Sequence, residues 1–310
     1  MKRIAARDRV MIDRARKKGP ARTLVAGAAG PEVLRAVADA AGFGLIRPVL
    51  IGRAPAIRNL ARRLNIELSE FRIIDRTEDP DIAETAAEMA SRNEADLIMK
   101  GNISTPVLLK AVLDPRFGLR TGGLLSHIAW MEVPAAAKPF AVTDSGMIIR
   151  PTLEQKILIL KNAIAFTSAM GIRKPRIALL AANEKVSPHM PETADAVELV
   201  RMAAEGVFGE AVVEGPLALD MAFSSDAARI KGFRSRIAGK PDIVLVPDIA
   251  SGNIFAKGLV YLAHARISGL VVGARLPIVL ISRAEHASTW LHSLALACIV
   301  SPKIGSLRFS

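Results

Sequence analysis

Asp96-Leu-Ile-Met-Lys-Gly-Asn-Ile-Ser-Thr-Pro106 is the stretch on which the reading of this chain turns. Leu97, Ile98 and Met99 make an apolar run of strand length, and Gly101 turns the chain. Ser104 or Thr105 then stands where a cap is needed for a helix whose first turn contains Pro106. A buried strand passing through a tight turn into a capped helix is the unit of a parallel sheet covered by helices. Similar runs recur on both sides: Thr23–Ala26, Pro48–Ile51, Phe71–Ile74, Phe140–Thr143, Arg176–Leu180, Ala211–Val213, Ile243–Val246 and Pro277–Ile281. With Asp96–Met99 they make nine strand candidates of the parallel type, which predicts two lobes rather than one sheet.

Helical segments lie between them. Gly30-Pro31 opens one that Gly42 stops, and the segment from Pro151 to Met170 sets Leu153, Ile157, Leu160, Ile164 and Phe166 near one face before Gly171. The best boundary falls around Asp144 to Pro151, where a strand ends in a Gly-containing turn.

Composition narrows the class. A chain of 310 residues with 51% hydrophobic content buries a core without staples. The single cysteine, Cys298, sits in an apolar run, which excludes a disulfide framework, predicts a buried inert thiol and fits a cytoplasmic protein. No stretch approaches the roughly 18 to 20 unbroken apolar residues of a membrane span. Residues 1 to 22 carry nine Lys and Arg against two Asp, a large share of the net +12, so residues 1–21 read as a solvated basic leader. Aromatic content of 4% with one Tyr argues against a stacking surface for nucleic acid.

In open α/β sheets ligands gather at the carboxyl ends of strands, so the polar residues that follow each apolar run are the candidates. They are Lys100-Gly-Asn-Ile-Ser-Thr105, Asp144-Ser-Gly146, Asn183-Glu-Lys185, Glu214 through Asp220, Pro247-Asp-Ile-Ala-Ser-Gly-Asn253 and Ser282-Arg283. The first suits an anion: Gly101 lets backbone approach, and free amides at a helix start favour negative charge, with Lys100 and Lys110 adding formal charge. A Lys-Gly turn before a capped helix is also commonplace, so the segment alone does not separate a phosphate site from an ordinary turn. Ser251, Gly252 and Asn253 lie in a turn expected to lead into a helix from Ile254, with Lys257 one turn on. Ser126 and His127 are neighbours in sequence, which does not make a catalytic pair; a hydrogen-bonded structural histidine is the safer reading. His189, His264, His286 and His292 show no metal-ligand spacing, and Gly27-Ala-Ala-Gly30 lacks the dinucleotide pattern and reads as a tight turn.

Taken in order, these segments resemble the phosphate acetyl/butyryl transferase family, the butyryl-type branch more than the acetyl-type one. The matching stretches are Met99–Thr105, Gly118–Gly122 with Leu125-Ser-His127, Val142–Met147 with Pro151, Lys161-Asn-Ala163, Glu184 with Met190-Pro191, Gly215–Asp220, Pro247–Asn253 with Lys257, and Pro277–Arg283. The resemblance implies two α/β/α lobes with mainly parallel sheets, like isocitrate and isopropylmalate dehydrogenases, with the active cleft between lobes and a homodimer as the usual assembly. It places residues 22–145 with 282–310 in the first lobe and 146–281 in the second.

The implied reaction is reversible: acyl-CoA and phosphate give acyl phosphate and coenzyme A. Coenzyme A is then a substrate, with no tightly bound cofactor and no metal. Arg283, after Ser282, matches the arginine expected to bind phosphate and steady the carbonyl oxygen. Asp220 and Glu285 complete the implied catalytic set. Lys100, Gly101, Ser104, Thr105, Lys110, Ser126, His127, Asp144, Ser251, Gly252, Asn253 and Lys257 are the implied substrate-binding positions. Lys110 stands where acetyl-type members carry arginine, which keeps the charge and loses the fork. Acetyl-type members also carry an aspartate a turn and a half beyond the Ser-Arg pair; here the position is Thr289, or Ser288 with a one-residue slip, and Glu285 or His286 are the nearby substitutes. Two rivals stand beside this reading: an NAD-dependent decarboxylating dehydrogenase of the same general fold, and a non-catalytic subunit that binds coenzyme A.

Overall fold

The computed structural model describes residues 6–121, 123–280 and 287–304. In chain order the elements are α1 (Ala6–Arg16), β1 (Ala21–Ala26), α2 (Pro31–Gly42), β2 (Ile46–Gly52), α3 (Ala54–Leu64), β3 (Arg72–Asp75), α4 (Asp79–Ser91), β4 (Leu97–Lys100) and α5 (Thr105–Leu113). There follow β5 (Ser126–Glu132), β6 (Phe140–Thr143), α6 (Leu153–Ala169), β7 (Arg176–Leu180), α7 (Pro191–Ala204), β8 (Val212–Leu217), α8 (Leu219–Phe223) and α9 (Ser225–Ile230). The chain closes with β9 (Ile243–Leu245), α10 (Ile249–Leu262), β10 (Arg266–Val272), β11 (Ile278–Val279) and α11 (Ala287–Ile304). All nine expected strands form. The chain is a mixed α/β protein whose described strands belong to one eleven-stranded, mainly parallel sheet, not to the separate sheets that the strand count predicts.

Two compact units result, one from Met1–Gly123 with Ser268–Ser310, the other from Leu124–Ile267. In the first, the strand order is β3-β2-β1-β4-β11-β10. β1 is parallel to β2 and β4, and β11 is parallel to β4. Leu24, Val25, Leu50, Leu97, Ile98 and Met99 are fully buried along these strands, which is why their runs read as continuously apolar. In the second unit the order is β5-β6-β9-β7-β8, with β6, β9, β7 and β8 parallel.

Several expectations are corrected. The units divide at residues 123 and 268, not at 145 and 282, because β6 pairs with β9 in the second unit while β11 pairs with β4 in the first. β5 and β10 are additional strands; each pairs antiparallel with a neighbour, β5 with β6 and β10 with β11. β5 opens on polar Ser126 and His127, and β10 contains Gly269, which hid both behind other readings. The basic start is not all solvated leader: α1 buries Ile12 and Ala15 and packs against α11.

Local signals account for most helix limits. Thr152 caps α6 through a reciprocal pair with Gln155, and Pro31 and Pro106 lie at the helix starts their fixed φ suits. Cys298 is buried, donates to the Leu45 carbonyl at 3.3 Å, and burial pushes its thiol pKa up to about 12, so it is an inert core group. Among the described residues no helix is long and apolar enough to cross a membrane.

Candidate functional site

In the first unit the opening stretch makes a loop that locks onto another strand end. Gly101 N donates to Ala26 O at 2.8 Å and Asn102 N to Gly27 O at 2.6 Å. Gly27, at φ +85, presses against Asn102 and Ile103, so the β1–α2 turn and the β4–α5 loop touch backbone to backbone. Ser104 is the cap: its Oγ accepts from Val107 N at 3.4 Å, and Thr105 is the first residue of α5. Lys100 is buried, and its Nζ donates to Gly101 O at 3.1 Å and Ile103 O at 2.9 Å, so its ammonium braces the loop. Lys110 lies exposed in the last turn of α5, where a cation complements the negative helix end.

In the second unit four segments converge at the carboxyl end of β6. Asp144, 2% exposed, accepts three backbone N–H bonds: from His127 at 3.0 Å on Oδ2, and from Gly146 and Met147 at 2.8 Å each on Oδ1. Its carboxylate therefore builds the turn after β6 and ties it to β5. His127 Nδ1 lies 3.0 Å from Ser145 Oγ. Burial holds the imidazole below its ordinary pKa, and the Asp144 charge opposes this without overcoming it. Ser126 is fully buried, and its Oγ accepts from Asn162 Nδ2 at 2.9 Å, the same amide that donates to Leu124 O at 2.8 Å.

α10 begins at Ile249, a turn earlier than expected from sequence, because Asp248 caps it. Asp248 Oδ1 accepts from Ser251 N at 2.8 Å and Ser251 Oγ answers by accepting from Asp248 N at 3.3 Å; this hydrogen bonding holds the Asp248 carboxyl below its ordinary pKa. Ser251 is thus a cap partner, and Gly252 packs against Ser145. Asn253 and Lys257 project from the exposed side of α10.

Asp220 is apart from this cluster. It is exposed, and its carboxylate is bound by Lys231 Nζ at 3.0 Å and by Met221 N at 2.8 Å, with the lysine holding its pKa down. It stands at the rim of a separate recess with Phe140, Phe223 and Phe255. Ser282, Arg283, Glu285 and His286 lie outside the described residues. Ser145, Asn162 and Asp248 are the contributors that sequence reasoning did not select. Ser145 and Asp248 were legible as polar residues after a strand, whereas Asn162 sits within a helix and was marked only by the family stretch Lys161-Asn-Ala163.

A mainly parallel α/β chain with polar strand-end turns of this kind is built like the phosphotransacylases. A branched-chain phosphotransacylase from Enterococcus faecalis V583 superimposes with a TM-score of 0.80 at 32% identity, over 90% of this chain and 98% of that one. Phosphate acetyltransferase of Rhizobium meliloti is 39% identical over 94% of this chain and 93% of its own length. Phosphate butyryltransferase of Clostridium acetobutylicum is 36% identical, over 94% and 97%. The family model described as Phosphate acetyl/butaryl transferase matches residues 80–298. The chain belongs to the phosphate acetyl/butyryl transferase family, and it is an acyltransferase. Neither rival, the dehydrogenase or the non-catalytic subunit, gains support from these relatives.

Proposed function

We infer that the protein transfers a short acyl group reversibly between coenzyme A and inorganic phosphate, with coenzyme A as substrate rather than resident cofactor. The reaction joins two anions and develops negative charge on a carbonyl oxygen, so fixed cations and oriented amides are what it needs. The observation that carries the reading on this chain is the turn after β6, where Asp144 holds Gly146, Met147 and His127 in one arrangement. The amides of this turn are spent on Asp144, and what they preorganise is the placement of His127 and Ser145 at the end of β6.

Roles follow from chemistry. Arg283, supported by Ser282, is assigned to phosphate and the carbonyl oxygen, a planar fork being suited to both. Gly101, Ser104 and Thr105 are assigned to anion binding through the start of α5, with Lys100 shaping that loop and Lys110 giving long-range attraction. Asn253 and Lys257 are assigned to coenzyme A on the exposed side of α10, with Gly252 and Ser251 setting that helix. Asp220 and Glu285 complete the proposed set. We assign the protein to the cytoplasm as a homodimer, on the buried reduced thiol and on the family respectively.

The test is direct. Acetyl-, propionyl-, butyryl- or isobutyryl-CoA is mixed with phosphate and thiol release is followed. Release that requires phosphate and falls on Arg283→Ala supports the assignment; no release with any of these substrates sinks it. The kcat/KM series then ranks the acyl chains, with butyryl ahead of acetyl as the expected order.

A further inference from the structure

We propose that His127 Nε2 is the base that takes the thiol proton of coenzyme A, an assignment that rests on the acyl-transfer reading above. The ring is fixed on one side only. Its Nδ1 faces Ser145 Oγ at 3.0 Å, and its main-chain N–H is held by Asp144. Gly146 packs on the ring so closely that a Cβ there would stand 3.0 Å from His127 Cγ. In the tautomer proposed, Nδ1–H donates to Ser145 Oγ, which puts the lone pair on Nε2; Nε2 meets no partner among the described residues. The histidine keeps partial exposure.

Ser145 orients the ring and does not attack. It is 3% exposed, and Gly252 lies against its Cα and Cβ, leaving no room for an acyl group. The charge that acts on the ring is Asp144, in the turn after β6, whose oxygens are taken by backbone N–H groups; Asp248 at the start of α10 is taken by Ser251, and the neutral Asn162 of α6 reaches the adjoining Ser126. The imidazole is therefore neutral at physiological pH, held there by burial, and ready to accept a proton.

In the direction from acyl phosphate, Nε2 accepts the S–H proton as sulfur attacks the acyl carbon. The C–S bond forms, the bond from that carbon to the phosphate oxygen breaks, and phosphate leaves with the electron pair. The proton then passes from the imidazolium to departing phosphate or to water. In reverse, the imidazolium returns a proton to sulfur as the C–S bond breaks.

The experiment measures kcat/KM for coenzyme A against pH in the acyl-phosphate direction, for wild type, His127→Asn and His127→Gln, with thermal midpoints recorded. Wild type is expected to lose activity tenfold per unit below a pKa under the ordinary histidine value of about 6.5. Each folded variant is expected to lose on the order of 10²- to 10⁴-fold at neutral pH. It should show no such limb and instead rise toward thiol ionisation near about 8.5. Ser145→Ala keeps the Cβ that Gly252 packs on and the imidazole itself, so it carries the test if the His127 variants do not fold. It should lower kcat, leave KM for coenzyme A unchanged and shift the acidic limb. A variant that keeps the wild-type rate and the acidic limb overturns the role of His127. A wild type that makes no acyl-CoA from any short acyl phosphate overturns the acyl-transfer reading instead.

Discussion

Gly101 meets Gly27 backbone to backbone: a Cβ on Gly101 would stand 2.2 Å from the Gly27 carbonyl oxygen and 2.8 Å from its carbon. Neither atom belongs to a side chain that could turn away. Gly101→Ala is therefore expected to cost about 3 kcal/mol of stability, at the upper end of overpacking, as the β4–α5 loop is pushed off the β1–α2 turn. Urea unfolding of the variant checks this, and a loss below about 1 kcal/mol would mean that the two turns separate freely.

Asn162 is a second test of how the turn region is supported. Its amide satisfies both Ser126 Oγ and Leu124 O. Asn162→Leu leaves those buried acceptors without a donor and is expected to destabilise by about 1–3 kcal/mol. Because Ser126 immediately precedes His127, kcat should fall as well. The decisive comparison is with Asn162→Gln, which retains the amide and should lose less of both.

Lys156 and Asp195 form an ion pair at 2.6 Å with the lysine side chain only 6% exposed. Removing one partner strands a buried charge, so Asp195→Ala should cost about 3–5 kcal/mol, far more than an exposed pair such as Lys174–Glu210 at about 0–1 kcal/mol. Denaturant midpoints of the two single variants give the contrast. Equal losses would show that α6 accommodates an unpaired Lys156.

Asp248 gives a pH signature. Its folded pKa lies below the unfolded value, so its ionised form contributes stability above about pH 4. That contribution is lost as pH falls through the folded pKa. Asp248→Asn keeps the cap without the charge. The thermal midpoint of wild type should exceed that of Asp248→Asn at neutral pH, and the gap should close as pH is lowered below about 4. A gap that is constant with pH would remove the carboxylate from the account.

Sequence alone was enough for what is local. Asp96–Pro106 announced strand, turn and capped helix because an apolar run, a glycine, a hydroxyl cap and a proline each act within a few residues. The same locality made β1 and α2 legible, and α6 with its Thr152 cap. The family, too, was readable from the order of the strand-end segments. Tertiary structure decided the rest, because pairing energy depends on residues far apart in the chain. β5 and β10 have no decisive local signal and are defined by antiparallel partners. Division into units follows β11 choosing β4, about 180 residues upstream, which no window of periodicity contains. Ser251 is hydrogen-bonded to Asp248 and the Lys100 ammonium to the Gly101 and Ile103 carbonyls, local contacts whose geometry the residue types alone do not show. Sequence put His127 beside Ser126; the fold put its Nδ1 against Ser145, 18 positions away, a contact that no local pattern shows.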